Sequence, residues 1–194
     1  MIQLGITGGI GSGKTTVCEV LKHFAIPVYH ADDEAKIILD SAAIQKKVRK
    51  AFGKIVVDEA GKLDRKKIAA LVFSDQTKLE ILNSIIHPEL AKHYHQWLKS
   101  KSKHPIVAME AAILFESGSF SQMDKIITVY APREIRIQRA MQRSNATRSE
   151  ILDRIKKQMP EKEKIKRADF VIDNDGKKLV IPQVLKVLEQ LKKT

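Results

Sequence analysis

Gly8-Gly9-Ile10-Gly11-Ser12-Gly13-Lys14-Thr15 fills every fixed position of the phosphate-binding pattern G-x-x-x-x-G-K-[ST]. Its flanks give the pattern meaning. Ile2-Gln3-Leu4-Gly5-Ile6 suits a short buried strand, and Val17, Val20, Leu21 and Phe24 recur at i, i+3, i+4 and i+7, as one face of a helix does. Strand, glycine-rich turn and helix let backbone N–H groups point inwards at phosphate oxygens, with the positive end of the helix behind them. Lys14 then reaches the β- and γ-phosphates, and the Thr15 hydroxyl ligates the magnesium that bridges them. A nucleoside triphosphate is the expected ligand.

Working outward, Ala25-Ile26-Pro27-Val28-Tyr29, Pro105-Ile106-Val107-Ala108-Met109, Ile126-Ile127-Thr128-Val129-Tyr130 and Phe170-Val171-Ile172 read as four more strands. Helical patterns separate them. Ile44, Val48, Ala51 and Phe52 keep helical spacing and Gly53 ends it; Lys54 to Leu63 suggests a small hairpin or turn. Ile68, Leu71 and Val72 share one helix side, Ser74 is a predicted N-cap, and His87-Pro88 is expected to break the next helix, since proline disfavours helical geometry before it. The last helix, from Pro182, is expected to bury Val184, Leu185, Leu188 and Leu191. Strands alternating with helices predict an α/β fold: a five-stranded parallel sheet flanked by helices.

Two regions exceed a plain crossover. Residues 33–104 carry several helical patterns and little strand, as an inserted helical subdomain would. Residues 133–167 hold twelve Lys/Arg against five Asp/Glu, and Arg136, Arg139 and Arg143 fall on one helical face, as in a basic flap or a solvated helix. The remainder, 1–32 with 105–132 and 168–194, forms the expected nucleotide-binding core. Net charge is +12, which suits polyanions, but only 5% of residues are aromatic, so a platform for stacking bases is not supported. Small phosphorylated substrates are the expected partners, with no nucleic acid, no membrane and a monomeric state. No apolar run reaches membrane-span length, no signal peptide is evident, and the single Cys18, expected to be half-buried, fits a cytoplasmic chain.

In such sheets, ligands bind beyond the carboxyl ends of the strands. Asp32 follows the second strand and Glu110 ends the third, so both can approach the phosphate loop. Asp32 is the candidate base for the attacking oxygen, with an N-cap role as its structural rival; Glu110 is a candidate holder of a metal-bound water. Glu116 is a candidate anchor for a substrate or a loop. His87 has no partner at metal-ligand spacing.

These pieces together resemble the dephospho-coenzyme A kinase family over nearly the full chain. The resemblance rests on Gly5 to Thr15, Ala31-Asp32, Gly61-Lys62-Leu63-Asp64-Arg65, Ile86-His87-Pro88, Ile113-Leu114-Phe115-Glu116, Gln138 to Arg143 and Ala168 to Asn174. It implies ATP- and Mg2+-dependent phosphorylation of the ribose 3′-hydroxyl of dephospho-CoA, the last step of coenzyme A synthesis. It further implies a P-loop core, a helical substrate-binding insertion and a basic helical lid. Under it, Asp32, Lys14, Arg139 and Arg143 are catalytic, and Gly9, Gly11, Ser12, Gly13, Lys14, Thr15, Thr16 and Asn174 bind nucleotide. Asp32, Arg65, His87 and Glu116 lie on the acceptor side, with Thr15 and Glu110 at the metal. Two departures stand out: His30 replaces an aspartate common in the family, and Glu110-Ala111-Ala112 replaces a common Asp-x-Pro. Kinases of nucleoside monophosphates or small hydroxylated metabolites share the core and lid. A guanine-specific switch is disfavoured, because Asp173-Asn174-Asp175-Gly176 does not supply Asn-Lys-x-Asp.

Overall fold

The computed structural model describes residues 1–192, the side chains of Phe73 and Ser74 excepted. Along the chain run β1 (Ile2–Thr7), α1 (Lys14–His23), β2 (Val28–His30), α2 (Ala31–Asp40), α3 (Ala42–Phe52), α4 (Arg65–Ser74) and α5 (Gln76–Ser100). There follow β3 (Ile106–Glu110), β4 (Lys125–Tyr130), α6 (Arg133–Ser144), α7 (Arg148–Lys156), α8 (Glu161–Arg167), β5 (Phe170–Asp173) and α9 (Val180–Leu191). Two compact units result: Met1–His30 with Lys101–Thr194, and Ala31–Ser100.

The first unit is built on a parallel five-stranded sheet of order β2-β3-β1-β4-β5. Its central strands are buried almost throughout, with Leu4, Ile6, Val107, Ala108, Ile127 and Val129 excluded from solvent. Such strands need helices on both faces, which explains their unbroken apolar runs. Val17, Cys18 and Leu21 of α1 and Val184, Val187, Leu188 and Leu191 of α9 pack into one core with the sheet. Ile6 of β1 stands in register with Glu110 of β3 and Ile127 of β4. The loop after β1 therefore leaves the middle of the sheet, between the carboxyl ends of its neighbours.

Several expectations need correction. Phe24 caps α1 and is exposed, because the helix ends at His23 before its fourth apolar position can face the sheet. In α9, Val187 is buried and Leu185 is partly exposed. Cys18 is wholly buried; burial foremost, with Glu110 adding, pushes its thiol up to about 12, so it stays protonated and inert at neutral pH.

The second unit packs α2 to α5 around Leu39, Ile44, Val48, Val56, Ile68, Leu82 and Ile86. The expected hairpin or turn takes the form of a 3-10 turn, Gly53–Val56, followed by one antiparallel bridge between Val57 and Leu63. Asp64 caps α4 by accepting from the N–H groups of Lys66 and Lys67. The cap expected of the Ser74 side chain lies outside the described residues. Asp75 performs that task for α5, accepting from the Lys78 N–H at 3.2 Å. Pro88 does not break the helix: α5 runs through it. Its missing N–H deprives the Ser84 carbonyl of a helical partner, a defect worth about 3 kcal/mol in an isolated helix. Burial of Leu82 and Ile86 before the proline and Tyr94 and Leu98 after it offsets that cost.

Candidate active site

The loop from Gly8 to Gly13 is shaped by what touches it. Gly11 has φ +75°, and a Cβ there would overlap the carbonyl oxygen of Arg136; Gly13 has φ +96°, and a Cβ there would overlap the Asn174 amide nitrogen. Side chains other than hydrogen are excluded at both positions by backbone conformation and space together. Gly13 is also the residue before α1, so no side chain caps that helix, and its first turn holds no acidic residue. The partial positive charge of the helix end is therefore uncompensated, as an anion site requires. Among the described residues, the N–H groups of Gly11, Gly13 and Thr15 make no hydrogen bond. The Ser12 hydroxyl is buried without a partner.

Lys14 lies across the loop. Its Nζ donates to the Gly8 carbonyl at 3.0 Å and stands 3.8 Å from Glu110 Oε1. Glu110 faces His30 on its other oxygen, with 3.3 Å between Oε2 and Nδ1. Lys14 and Glu110 are nearly buried, so their attraction is weakly screened. Asn174, at the end of β5, donates from Nδ2 to the Ser12 carbonyl at 2.9 Å, and Arg139 donates to the Asn174 carbonyl at 2.8 Å. Thr15 and Thr16 are exposed at the start of α1.

The basic segment is fastened to this unit by buried charges. Arg136 donates from Nε to the Ile10 carbonyl at 3.0 Å and pairs with Glu161 at 3.1 Å, with only 4% of its side chain exposed. Burial, the larger influence, pulls its guanidinium below the ordinary value, and Glu161 pushes back. Glu161 Oε1 also accepts from the Gly9 N–H at 3.0 Å, and Gln158 Oε1 from the Ile10 N–H at 2.9 Å. Lys164 is wholly buried; it donates to the Ala112 carbonyl at 2.7 Å and pairs with Glu116 at 3.0 Å. Glu116 accepts in addition from the Met159 N–H at 2.7 Å. Arg143 is exposed.

In the second unit, Asp32 sits inside the first turn of α2 with Asp33 and Glu34, one residue past the helix start, so it is not an N-cap. Asp33 pairs with Lys36 at 2.7 Å. Arg65 opens α4, paired with Asp40 and donating to the Lys36 carbonyl at 3.2 Å. His87 is half-buried in the middle of α5, and burial lowers its pKa.

The loop fits a triphosphate: unpaired N–H donors, an uncompensated helix end and a lysine share one short segment. Among the described residues no group of three or more His, Cys, Asp or Glu side chains could hold a metal ion. Residues 2–179 match the family described as dephospho-CoA kinase. The chain belongs to that family, and is a kinase.

Its relatives agree over nearly full length. The dephospho-CoA kinase of Bacteroides fragilis is 43% identical over 190 residues, covering 96% of this chain and 91% of the relative. A crystal structure from Thermus thermophilus superposes with a TM-score of 0.90 at 37% identity, covering 98% of this chain and 97% of the other. The dephospho-CoA kinase of Campylobacter jejuni gives 0.69 at 28% identity, with 98% and 97% covered. No helix among the described residues is long and apolar enough to cross a membrane.

Sequence reasoning did not single out Gln158, Glu161 or Lys164, and placed Arg136 only on a basic face. The signal for Lys164 was faint. It shares a run with Lys162 and Lys166, both exposed, and composition alone does not rank three lysines in one short helix.

Proposed function

We propose that this chain transfers the γ-phosphoryl group of ATP to the ribose 3′-hydroxyl of dephospho-CoA, giving coenzyme A and ADP. The observation that carries this reading is the complete phosphate loop, with the N–H groups of Gly11, Gly13 and Thr15 unpaired among the described residues, in a chain of this family. The N–H groups of Gly11, Gly13 and Thr15, with Lys14, hold the phosphates, and Ser12, Thr16 and Asn174 line the nucleotide side. Gly9 keeps the loop close to Arg136. Thr15 and Glu110 are the residues that would hold Mg2+, directly or through water; when bound, the ion neutralises charge on the β- and γ-phosphates. Arg139 and Arg143, on the lid formed by 133–167, stabilise the charge that spreads over the transferring group.

Asp32 accepts the proton of the attacking hydroxyl. A ribose hydroxyl is a poor nucleophile at neutral pH, and a carboxylate within hydrogen-bond reach orients it and takes its proton. Arg65 and His87, on the helical unit 33–104, serve the acceptor. Glu116 acts on the acceptor side through the segment it anchors. The enzyme works in the cytoplasm as a monomer, the last step of coenzyme A synthesis.

The test is a pair of isosteric changes. Asp32→Asn should lower turnover by roughly 10²–10⁴-fold and leave ATP affinity nearly unchanged. Asp33→Asn, which disturbs a surface pair with Lys36, should leave turnover near normal. A large loss at Asp33 with little at Asp32 would assign the base to the wrong carboxylate. Lys14→Met should abolish turnover with the fold intact; near-normal turnover would remove the loop from the chemistry.

A further inference from the structure

The phosphate loop is divided between two tasks. Its first half, Gly9-Ile10, has its N–H groups taken by Glu161 at 3.0 Å and Gln158 at 2.9 Å, and the Ile10 carbonyl by Arg136 at 3.0 Å. The Ile10 side chain packs on the cluster of Ile137, Ala140 and Ile151, which belongs to α6 and α7. A Cβ on Gly9 would overlap the Arg136 guanidinium and the Glu161 carboxylate, so a side chain there would have to displace this pair from the loop. The second half keeps its donors at Gly11, Gly13 and Thr15.

A carboxylate beside a phosphate loop has the wrong charge for a nucleotide site. Paired with Arg136 at 3.1 Å, Glu161 adds no net charge there, and its one engaged oxygen serves the loop backbone as well. Arg136 and Arg139 are one helical turn apart on α6, and Arg139 reaches the Asn174 carbonyl that flanks the loop's second half. Fixing Arg136 on Ile10 therefore fixes where Arg139 stands.

We propose that Glu161 and Gln158 are positioning residues that latch the basic segment to the first half of the phosphate loop. The latch presets the distance between the segment's arginines and the phosphates held by the second half. This rests on the kinase reading of the same loop. The alternative arrangement is a plug, in which Glu161 competes with nucleotide for the loop.

The experiment compares the full chain with Glu161→Ala, Glu161→Gln, Gln158→Ala and, as control, Lys162→Ala, an exposed neighbour in α8. Four quantities are read: turnover with Mg-ATP and dephospho-CoA, ATP affinity by calorimetry, melting temperature, and amide hydrogen exchange of the peptide containing Gly9 and Ile10. For Glu161→Ala the latch predicts faster exchange in that peptide, kcat down ~10–100-fold, and ATP affinity within about twofold of the parent. Glu161→Gln keeps an acceptor for the Gly9 N–H and should recover part of the rate; Gln158→Ala should lie between, and Lys162→Ala should match the parent. Tighter ATP binding with undiminished kcat in Glu161→Ala would establish the plug and overturn the latch. A lowered melting temperature with unchanged kcat and exchange would reduce Glu161 to a structural role and overturn it too. If the parent fails to phosphorylate dephospho-CoA, the proposed acceptor is at fault, and exchange with ATP affinity still judges the latch.

Discussion

The helical segment 133–167 and the helical unit 31–100 are held together in opposite ways. In the first, charged groups are buried and do the fastening: Arg136 on Glu161 and the loop, Lys164 on Glu116 and Ala112. Its apolar cluster is small, with Ile137, Ala140 and Ile151 as buried members. In the second, an apolar cluster from Leu39 to Ile86 carries the packing, and ion pairs such as Arg65–Asp40 and Lys47–Glu89 lie at the surface. A buried pair depends on both partners, because removing one strands a charge out of water, whereas a surface pair is solvated whether or not it forms. Directional polar contacts suit a segment whose distance from the phosphate loop matters. Non-directional apolar contacts suffice to hold the internal shape of the second unit.

The contrast can be broken by stability measurements. The largest effect is expected for Glu116→Ala, which leaves Lys164 buried with only the Ala112 carbonyl. Urea unfolding should show a loss of about 3 kcal/mol, little relieved by salt. A loss that vanishes with added salt would make the pair a surface pair in effect. Next comes Leu82→Ala in α5, which removes a buried side chain from the apolar cluster and should cost about 2–3 kcal/mol. An unchanged unfolding midpoint would mean that the second unit does not rely on that cluster.

Smaller is the pH response of α5. Burial lowers the His87 pKa, so the folded state binds this proton less readily than the unfolded chain does. Stability is therefore fully present above the unfolded value of about 6.5 and declines as pH falls from there towards the lower folded value. His87→Gln should flatten this slope in urea midpoints taken from neutral to mildly acidic pH; a slope unchanged by the substitution would place its origin elsewhere. Smallest in stability is Arg65→Ala, whose exposed pair with Asp40 should be worth about 0–1 kcal/mol. Its KM for dephospho-CoA should nonetheless rise clearly. A large stability loss with unchanged KM would make Arg65 a structural residue.

How much of this was legible in the sequence follows from the physics of each part. Five strands were readable because parallel strands are apolar nearly throughout, and the phosphate loop because its glycines answer to fixed geometry at Gly11 and Gly13. The continuation of α5 through Pro88 was not, since the local penalty for proline is visible and the tertiary packing of Tyr94 and Leu98 is not. The Asp75 cap was missed for a similar reason: Ser74 and Asp75 are adjacent, and either type caps a helix. The fastening of 133–167 was hidden most deeply. Arg136 and Lys164 look like any solvated cation until the chain contacts that bury them are known, and a run of Glu and Lys carries no mark of which one faces inward.

The central claim is that the acceptor is dephospho-CoA. Its most direct test offers the purified chain Mg-ATP with dephospho-CoA, nucleoside monophosphates and simple polyols in parallel, and locates the new phosphate by 31P NMR. The account predicts transfer to dephospho-CoA alone, at the ribose 3′-hydroxyl. Preferential turnover of a nucleoside monophosphate, or phosphate at another position, would contradict it.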